Sequence, residues 1–275
     1  MQKAGYFIYI AVFLNRMFGA GFTAGAAEPD SLVPALHLNL SALYATTDPL
    51  GNVYVITPEL SIEKYAPDGR LLTRYTQNRY GMPAYLDVTN PLKVLVWYAD
   101  FRTVVWLDRS LTDLGELNLI DAGYPEVRNV GAAQDGNLWI YDEAGFRLRK
   151  ISADGRPLFE SQDLNLIFGE TLQISCIREY ETGVLAAETR QGALQFDSYG
   201  QYVRTTMLTG TAQFLIKGRE AYFIRENELC TYSLSPVPAP TKCLLLPKDA
   251  TRAWLGAGTV IVAKNRGLEI WKDRQ

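Results

Sequence analysis

Gly51-Asn52-Val53-Tyr54 returns in the chain as Gly136-Asn137-Leu138-Trp139, and the segment after each copy returns with it. Ile62-Glu63-Lys64-Tyr65-Ala66-Pro67-Asp68-Gly69-Arg70 is answered by Leu148-Arg149-Lys150-Ile151-Ser152-Ala153-Asp154-Gly155-Arg156. Both copies alternate apolar and polar side chains, as a half-buried strand does, and both close on Asp-Gly, a pair suited to tight hairpin turns. A short repeat of this kind cannot bury its apolar face alone and must stack on further copies of itself.

Weaker copies fall into line outward from these anchors. Second strands align as Asn52–Thr57, Lys93–Ala99, Asn137–Glu143, Gly183–Thr189, Glu220–Glu226 and Thr259–Asn265, with starts 41, 44, 46, 37 and 39 residues apart. That spacing is close to the period of four-stranded propeller blades. An innermost strand precedes each one: Leu43–Thr47, Tyr85–Thr89, Arg128–Ala133, Leu172–Ile177, Gln213–Lys217 and Arg252–Leu255. A third strand comes after it, and in five units an outer fourth, for example Leu71–Tyr75, Pro157–Ser161 and Gln201–Thr206.

The sixth unit stops after its third strand. An unpaired edge invites association with other chains, and the segment Leu32–Leu40, with its alternating Leu36-His37-Leu38-Asn39-Leu40, is predicted to cover it. Twenty-three strands plus this one give 24, so the sequence predicts an all-β chain: a six-bladed β-propeller of four-stranded antiparallel blades, the last closed by an N-terminal strand. A two-sheet sandwich or barrel shares the regular strand spacing but explains neither the matched Asp-Gly offsets nor the missing last strand. One domain is expected over residues 28–275, with residues 1–27 as a signal peptide. Lys3 gives the leader a thin basic start, Tyr6–Leu14 an apolar run, and Ala24-Gly25-Ala26 or Gly25-Ala26-Ala27 a cleavage pattern. Arg16 interrupts this leader, so an uncleaved anchor or a misplaced start codon stays open. The expected location is the periplasm or the outer membrane, with membrane association only through a partner or an uncleaved N-terminal segment.

A net charge of -3 gives no electrostatic reason to expect nucleic acid as partner. The chain has a single histidine, His37, on the predicted closing strand far from a propeller channel, which disfavours a Ser-His-Asp triad or a multi-histidine metal site. Cys230 and Cys243 flank the turn-forming stretch Ser235–Pro240. A hairpin centred between Pro236 and Val237 would set them face to face, either bonded or as two half-buried thiols on adjacent strands.

Asp48-Pro49-Leu50-Gly51-Asn52-Val53-Tyr54-Val55 and Ile62-Glu63-Lys64-Tyr65 with Pro67-Asp68-Gly69 resemble the blade motifs of NHL-like six-bladed propellers. More narrowly, residues 85–155, and Asp87–Phe101 within them, resemble exported, largely uncharacterised propeller proteins of Bacteroidota. The resemblance implies a fold and a compartment, and it carries no catalytic site.

The loops joining second to third strands are expected at one mouth of the channel. They carry Asp100, Arg102, Asp142, Glu143, Arg190, Arg225, Glu226, Lys264 and Arg266, a mixed-charge ring suited to a protein partner or a polar ligand, or simply a set of solvated hairpin tips. Asp100, Asp142 and Glu143 also suit calcium or acid–base work if their oxygens converge. A lactonase-like or lyase-like metal enzyme would instead gather carboxylates and amides from inner strands. The candidates there, Asp87, Asn90, Asn129, Glu179 and Lys217, are scattered in offset. Trp97, Tyr98, Trp106, Trp139, Tyr141, Trp254 and Trp271 read as packing between blades, or alternatively as a shelf for sugar or peptide. The resulting expectation is a binding or scaffold module of the cell envelope that needs no cofactor, with a metal-dependent propeller enzyme as the alternative.

Overall fold

The computed structural model describes residues 32–208, 210–235 and 240–273. The leader reading over residues 1–27 and the turn residues 236–239 lie outside them. The first strand, β1 (Leu32–Leu38), belongs to the last blade. Blade 1 is β2 (Tyr44–Thr47), β3 (Val53–Ile56), β4 (Ser61–Tyr65) and β5 (Leu71–Thr76). Blade 2 is β6 (Tyr85–Asp87), β7 (Val94–Tyr98), β8 (Thr103–Leu107) and β9 (Asp113–Asn118). Blade 3 is β10 (Val127–Ala132), β11 (Leu138–Asp142), β12 (Arg147–Ile151) and β13 (Pro157–Glu160), and one turn of helix, α1 (Asn165–Phe168), leads out of it. Blade 4 is β14 (Ile174–Tyr180), β15 (Gly183–Glu188), β16 (Gly192–Phe196) and β17 (Tyr202–Thr206). Blade 5 is β18 (Phe214–Lys217), β19 (Glu220–Arg225), β20 (Glu228–Ser233) and β21 (Lys242–Leu245). Blade 6 runs β22 (Arg252–Gly256), β23 (Thr259–Lys264), β24 (Gly267–Asp273) and then β1, so the N-terminal strand closes the ring.

The first copy of the repeat is built around one carboxylate, that of Asp48, whereas the second has Ala133 in that place and uses Asp135, which accepts the Asn137 N–H at 3.2 Å. Asp48 accepts the backbone N–H groups of Leu50 and Asn52, each at 2.9 Å, the Asn52 side-chain amide at 2.8 Å and the Tyr54 hydroxyl at 3.1 Å. The turn needs Gly51 and its counterpart Gly136 at φ of +83° and +82°, where a Cβ would be strained. Across the next hairpin Lys64 stands opposite Tyr54 and Lys150 opposite Trp139, each ammonium over the ring, 5.0 and 5.4 Å from its centroid. Lys64 then reaches the Arg109 carbonyl of blade 2 at 2.7 Å. The recurring Lys and aromatic positions of the repeat therefore serve the blade and its seam with the next.

Apolar burial lies between blades. One cluster runs through blades 1 to 3 and reaches Ile261 and Leu268 of blade 6; others fill the seams of blades 3 and 4, 4 and 5, and 5 and 6. Trp97, Trp106, Trp139 and Trp254 are all buried there, and the Trp97 indole N–H donates across a seam to the Arg128 carbonyl at 3.0 Å. Outer strands such as β9 and β13 are mostly exposed. Inner strands approach so closely that Gly131 of β10 has no room for a side chain: a Cβ would lie 2.5 Å from the Ile177 carbonyl oxygen of β14.

Blade 5 is the thinnest. Its strands bury few residues apart from Phe214, Ala221, Phe223 and Cys230, whereas β7, β8, β15 and β16 are buried along their whole length. Cys230 and Cys243 stand directly opposite in β20 and β21 and are joined as a disulfide.

Closure and the thin blade each set a measurable share of the stability. Leu38 is buried where β1 meets β24, and Leu36 and Leu38 both lie against Gly69 of blade 1. Leu38→Ala is expected to destabilise by about 2–3 kcal/mol; deleting residues 32–38 costs more and also yields self-association through the bared β24 edge. Denaturant unfolding with light scattering reads both. Replacing Cys230 and Cys243 by alanine should lower stability by about 2–4 kcal/mol, seen as a lower thermal midpoint that reductant no longer shifts.

Candidate functional site

The six inner strands leave a channel along the ring axis, and an arginine sits at its waist. Three adjoining cavities of about 430, 260 and 400 Å³ lie along the channel. Arg178 of β14 is the residue that lines all three. The largest draws on five blades: Tyr44, Thr46 and Thr47 of β2, Tyr85–Asp87 of β6, Arg178 of β14, β18 and Leu255 of β22. The 260 Å³ cavity lies at the starts of the inner strands, beside Ser175 and Cys176, and the 400 Å³ cavity at their ends, beside Tyr180, Asn90 and Gly218.

Local sequence fixes this arginine. Alternation along Ile174–Tyr180 turns Ile177 into the seam between blades 3 and 4 and Cys176 and Arg178 toward blade 5, where both border the channel cavities. The guanidinium Nε donates to the Phe214 carbonyl of blade 5 at 3.1 Å, and Nη1 donates to the Ile177 carbonyl at 3.0 Å. Its side chain is only 16% exposed, and the Asp87 carboxylate, 4% exposed, lies 3.6 Å away. Arg178 also lies over the Tyr85 ring, 4.8 Å from its centroid. Asp87 in turn accepts the Tyr85 hydroxyl and the Thr89 N–H, both at 3.0 Å. Burial pushes the Tyr44 and Tyr85 phenols well above the usual tyrosine range, so both are neutral donors near pH 7. Tyr44 aims its hydroxyl at the Leu86 carbonyl at 3.4 Å and meets Tyr85 edge to face.

The inner-strand candidates divide sharply. Asp87 and Lys217 line the 430 Å³ cavity, Asn129 lines the 260 Å³ cavity and Asn90 the 400 Å³ cavity. Glu179 reaches the channel but is held by blade 3: it accepts the Trp139 indole N–H at 3.0 Å, the Lys150 ammonium at 3.1 Å and the Gln134 N–H. The sequence reading named Glu179 but missed its neighbour Arg178, because it looked for the carboxylates and amides of a metal site rather than for a guanidinium on β14. An arginine two residues beyond a small Cys in an alternating inner strand is the signal that could have found it.

The nine charged loop residues do not line these cavities. Asp142 meets Arg149 at 3.0 Å, Glu143 meets Arg128 at 3.1 Å, and Arg225 lies 3.8 Å from Glu228 and 3.7 Å from the Cys243 sulfur. Lys264 pairs with Glu269 at 2.8 Å and Asp249 at 3.2 Å, while Arg102, at φ +50°, donates to the Ala99 carbonyl. Asp100, Glu226 and Arg266 are exposed. Asp100, Asp142 and Glu143 are not brought together as a ligand set; among the described residues one group of three potential metal ligands occurs, Glu228, Cys230 and Cys243, and its sulfurs are bonded to each other.

Arg190, itself 44% exposed, is held by a buried carboxylate. Glu188 ends β15 with no side-chain exposure; it accepts the N–H groups of Gln173 at 2.9 Å, Arg190 at 2.6 Å and Gln191 at 2.5 Å, and pairs with the Arg190 guanidinium at 3.3 Å. Burial alone would raise its carboxyl pKa, but these three N–H groups and the guanidinium overcome it and hold the group below its ordinary value of 4.5.

No protein-family model and no curated protein sequence matches the chain. Among solved structures it is similar to virginiamycin B lyase from Staphylococcus aureus at 13% identity and TM-score 0.57, covering 89% of this chain and 88% of that one. A streptogramin B lyase gives 14% identity and TM-score 0.54 over 89% and 88% of the two chains. The WD40 domain of Pan2 from Neurospora crassa gives 10% identity and TM-score 0.53 over 85% and 89%. At such identities the likeness is one of fold, and that fold is the propeller.

The Glu188 anchor makes a signed pH prediction. A carboxyl whose pKa is depressed by folding adds stability above its unfolded pKa, and that stability is lost as pH falls through the folded value. The thermal midpoint should therefore drop as pH is lowered below 4.5. Glu188→Gln should show a lower midpoint at neutral pH and a shallower acid decline, both read by a thermal scan from mildly acidic to neutral pH.

Proposed function

We propose that this chain is an exported binding module of the cell envelope, a rigid propeller that takes a small polar ligand into its central channel. The observation that carries the reading is Arg178: a charged side chain at the waist of the channel, set among cavities to which the inner strands contribute polar groups. Pockets of roughly 300–1,000 Å³ with apolar walls and a few fixed polar groups are the usual form of small-ligand sites. The mixed-charge loops support this role less well, since most of their charges are engaged within the fold. Export is supported by the apolar Tyr6–Leu14 run with its small-residue flank and by a disulfide, which persists in oxidising compartments. The Asp48–Val55 motif supports an NHL-like kinship, and residues 85–155 support the narrower kinship with exported propellers of Bacteroidota.

A lyase-like or lactonase-like activity draws only on likeness of fold. One solved neighbour is a catalytically inactive histidine-to-alanine variant of virginiamycin B lyase with quinupristin. The single histidine of the present chain, His37, sits on β1 opposite Glu269, at the outer edge of blade 6. Imidazole chemistry in the channel therefore has no source in this sequence.

Cys176 provides the test. It is the one thiol outside the disulfide; it is buried, 5% exposed, and borders the 260 Å³ cavity beside Arg178, so slow modification by a small reagent is the readout. A panel of sugars, amino acids, dicarboxylates and phosphate should contain a ligand that binds one to one by calorimetry and slows modification of Cys176 by a thiol reagent. Binding without protection of Cys176, or no binding across the panel, would sink the channel reading.

A further inference from the structure

We propose that the ligand carries an anionic group, a carboxylate or phosphate, received by Arg178 with Lys217 at the channel mouth; this rests on the channel-binding reading above. The charges in the cavities are unequally committed. Asp87 is held by the Tyr85 hydroxyl and the Thr89 N–H, and Glu179 by Trp139, Lys150 and Gln134. Both carboxylates are thus already hydrogen-bonded, Asp87 by Tyr85 and Thr89 of the cavity wall itself and Glu179 mainly by Trp139 and Lys150 of blade 3. Arg128, in the 260 Å³ cavity, pairs with Glu143 at 3.1 Å, and Glu181 is an exposed residue of the 400 Å³ cavity.

The cationic side is open. A guanidinium has five N–H donors in a fixed fork, and the described hydrogen bonds of Arg178 use Nε and Nη1. Asp87, at 3.6 Å, is beyond hydrogen-bond distance, so it tempers the charge without occupying the fork. Lys217 ends β18, is exposed, and enters no described hydrogen bond or ion pair while lining the same cavity. Gln213 adds a half-buried amide that lines the 430 and 260 Å³ cavities, also without a described side-chain hydrogen bond. Around these donors stand Leu86, Phe214, Ile216 and Leu255. Apolar walls lower the local dielectric and strengthen a charge-assisted hydrogen bond. An anion fits that arrangement better than a neutral ligand, and a cation would meet the exposed Lys217 ammonium and an Arg178 charge only partly offset by Asp87.

Calorimetry at fixed ionic strength with succinate, inorganic phosphate and neutral succinamide decides the point, with Cys176 modification as a second readout. Succinate or phosphate is expected to bind one to one and protect Cys176, and the stronger of the two names the carboxylate or the phosphate source; succinamide is expected to do neither. Lys217→Ala should weaken the anion about tenfold and Lys217→Glu further, while Arg266→Ala, on a loop outside the cavities, leaves it unchanged. Arg178→Gln should weaken it about a hundredfold, the scale of a lost charged hydrogen bond. Should that variant fail to fold, the two substitutions at the exposed Lys217 carry the test. Protection by succinamide equal to that by succinate overturns the anionic assignment and leaves the channel reading intact. Binding by neither anion, or anion binding indifferent to Lys217, overturns the assignment as well; loss of protection by every probe takes the channel reading with it.

Discussion

A propeller blade has no core of its own; each face is buried only by the next blade, so the ring must close before the last blade and the first are both covered. Here closure is the antiparallel pairing of β1 with β24, in register from Leu32 opposite Asp273 to Leu38 opposite Leu268, with one irregularity between Pro34 and Leu36. The strand does more than cap an edge. Leu36 and Leu38 reach Gly69 at a turn of blade 1, so the closing segment ties the last blade to the first. On the axial side the same junction is fixed by Thr46 donating to the Leu255 carbonyl at 3.1 Å and by the Thr47–Thr259 hydroxyl pair at 2.7 Å. Inner and outer ends of blade 6 are therefore each locked to blade 1, which holds the channel at a fixed bore.

Much of this was legible because the repeat is written in local chemistry. Asp48, Gly51, Asn52 and Tyr54 make one turn whose hydrogen bonds close within seven residues, and the Gly-Asn pair of that turn returns in blade 3. Legibility fades where local rules are broken for tertiary reasons. Leu111 adopts φ +61° in the turn where other blades place Gly69, Gly155 or Gly200, and its side chain is buried, so packing there overrides the turn's preference for glycine. Strand ends are the weakest part of any sequence reading. β14 runs three residues past the expected Ile177, and a search for carboxylates and amides there picks out Glu179 while passing over Arg178, the side chain that lines all three cavities. The helix turn α1 was equally hidden, since four residues carry no periodic signal.

Alternating signs at hairpin tips look like a recognition surface in a linear sequence, but strands that return on themselves bring those signs together. Asp142 and Glu143 meet Arg149 and Arg128, and Arg190 is folded onto Glu188 and Glu170. Exposed pairs of this kind add little stability, yet they leave few uncommitted charges at the tips. In the channel, Asp87 and Glu179 are hydrogen-bonded within the fold, while Lys217 is exposed and the Arg178 fork keeps Nη2 outside its described bonds.

Placement of Arg178 links that channel to the weakest part of the ring. Its guanidinium is held by one carbonyl of its own strand and by the Phe214 carbonyl of β18, the inner strand of blade 5. Within its blade β18 is supported through β19 and β20, and β20 is joined to the outer strand by the Cys230–Cys243 bond. A poorly buried blade that loosened would shift the acceptor that orients the arginine, and with it the fork presented to a ligand. Fixed donors favour binding because less ordering is left to be done when the ligand arrives. By linkage, whatever occupies the channel and bears on Arg178 must also stabilise blade 5 against opening. The disulfide at the rim and the arginine on the axis thus act on one element from opposite sides.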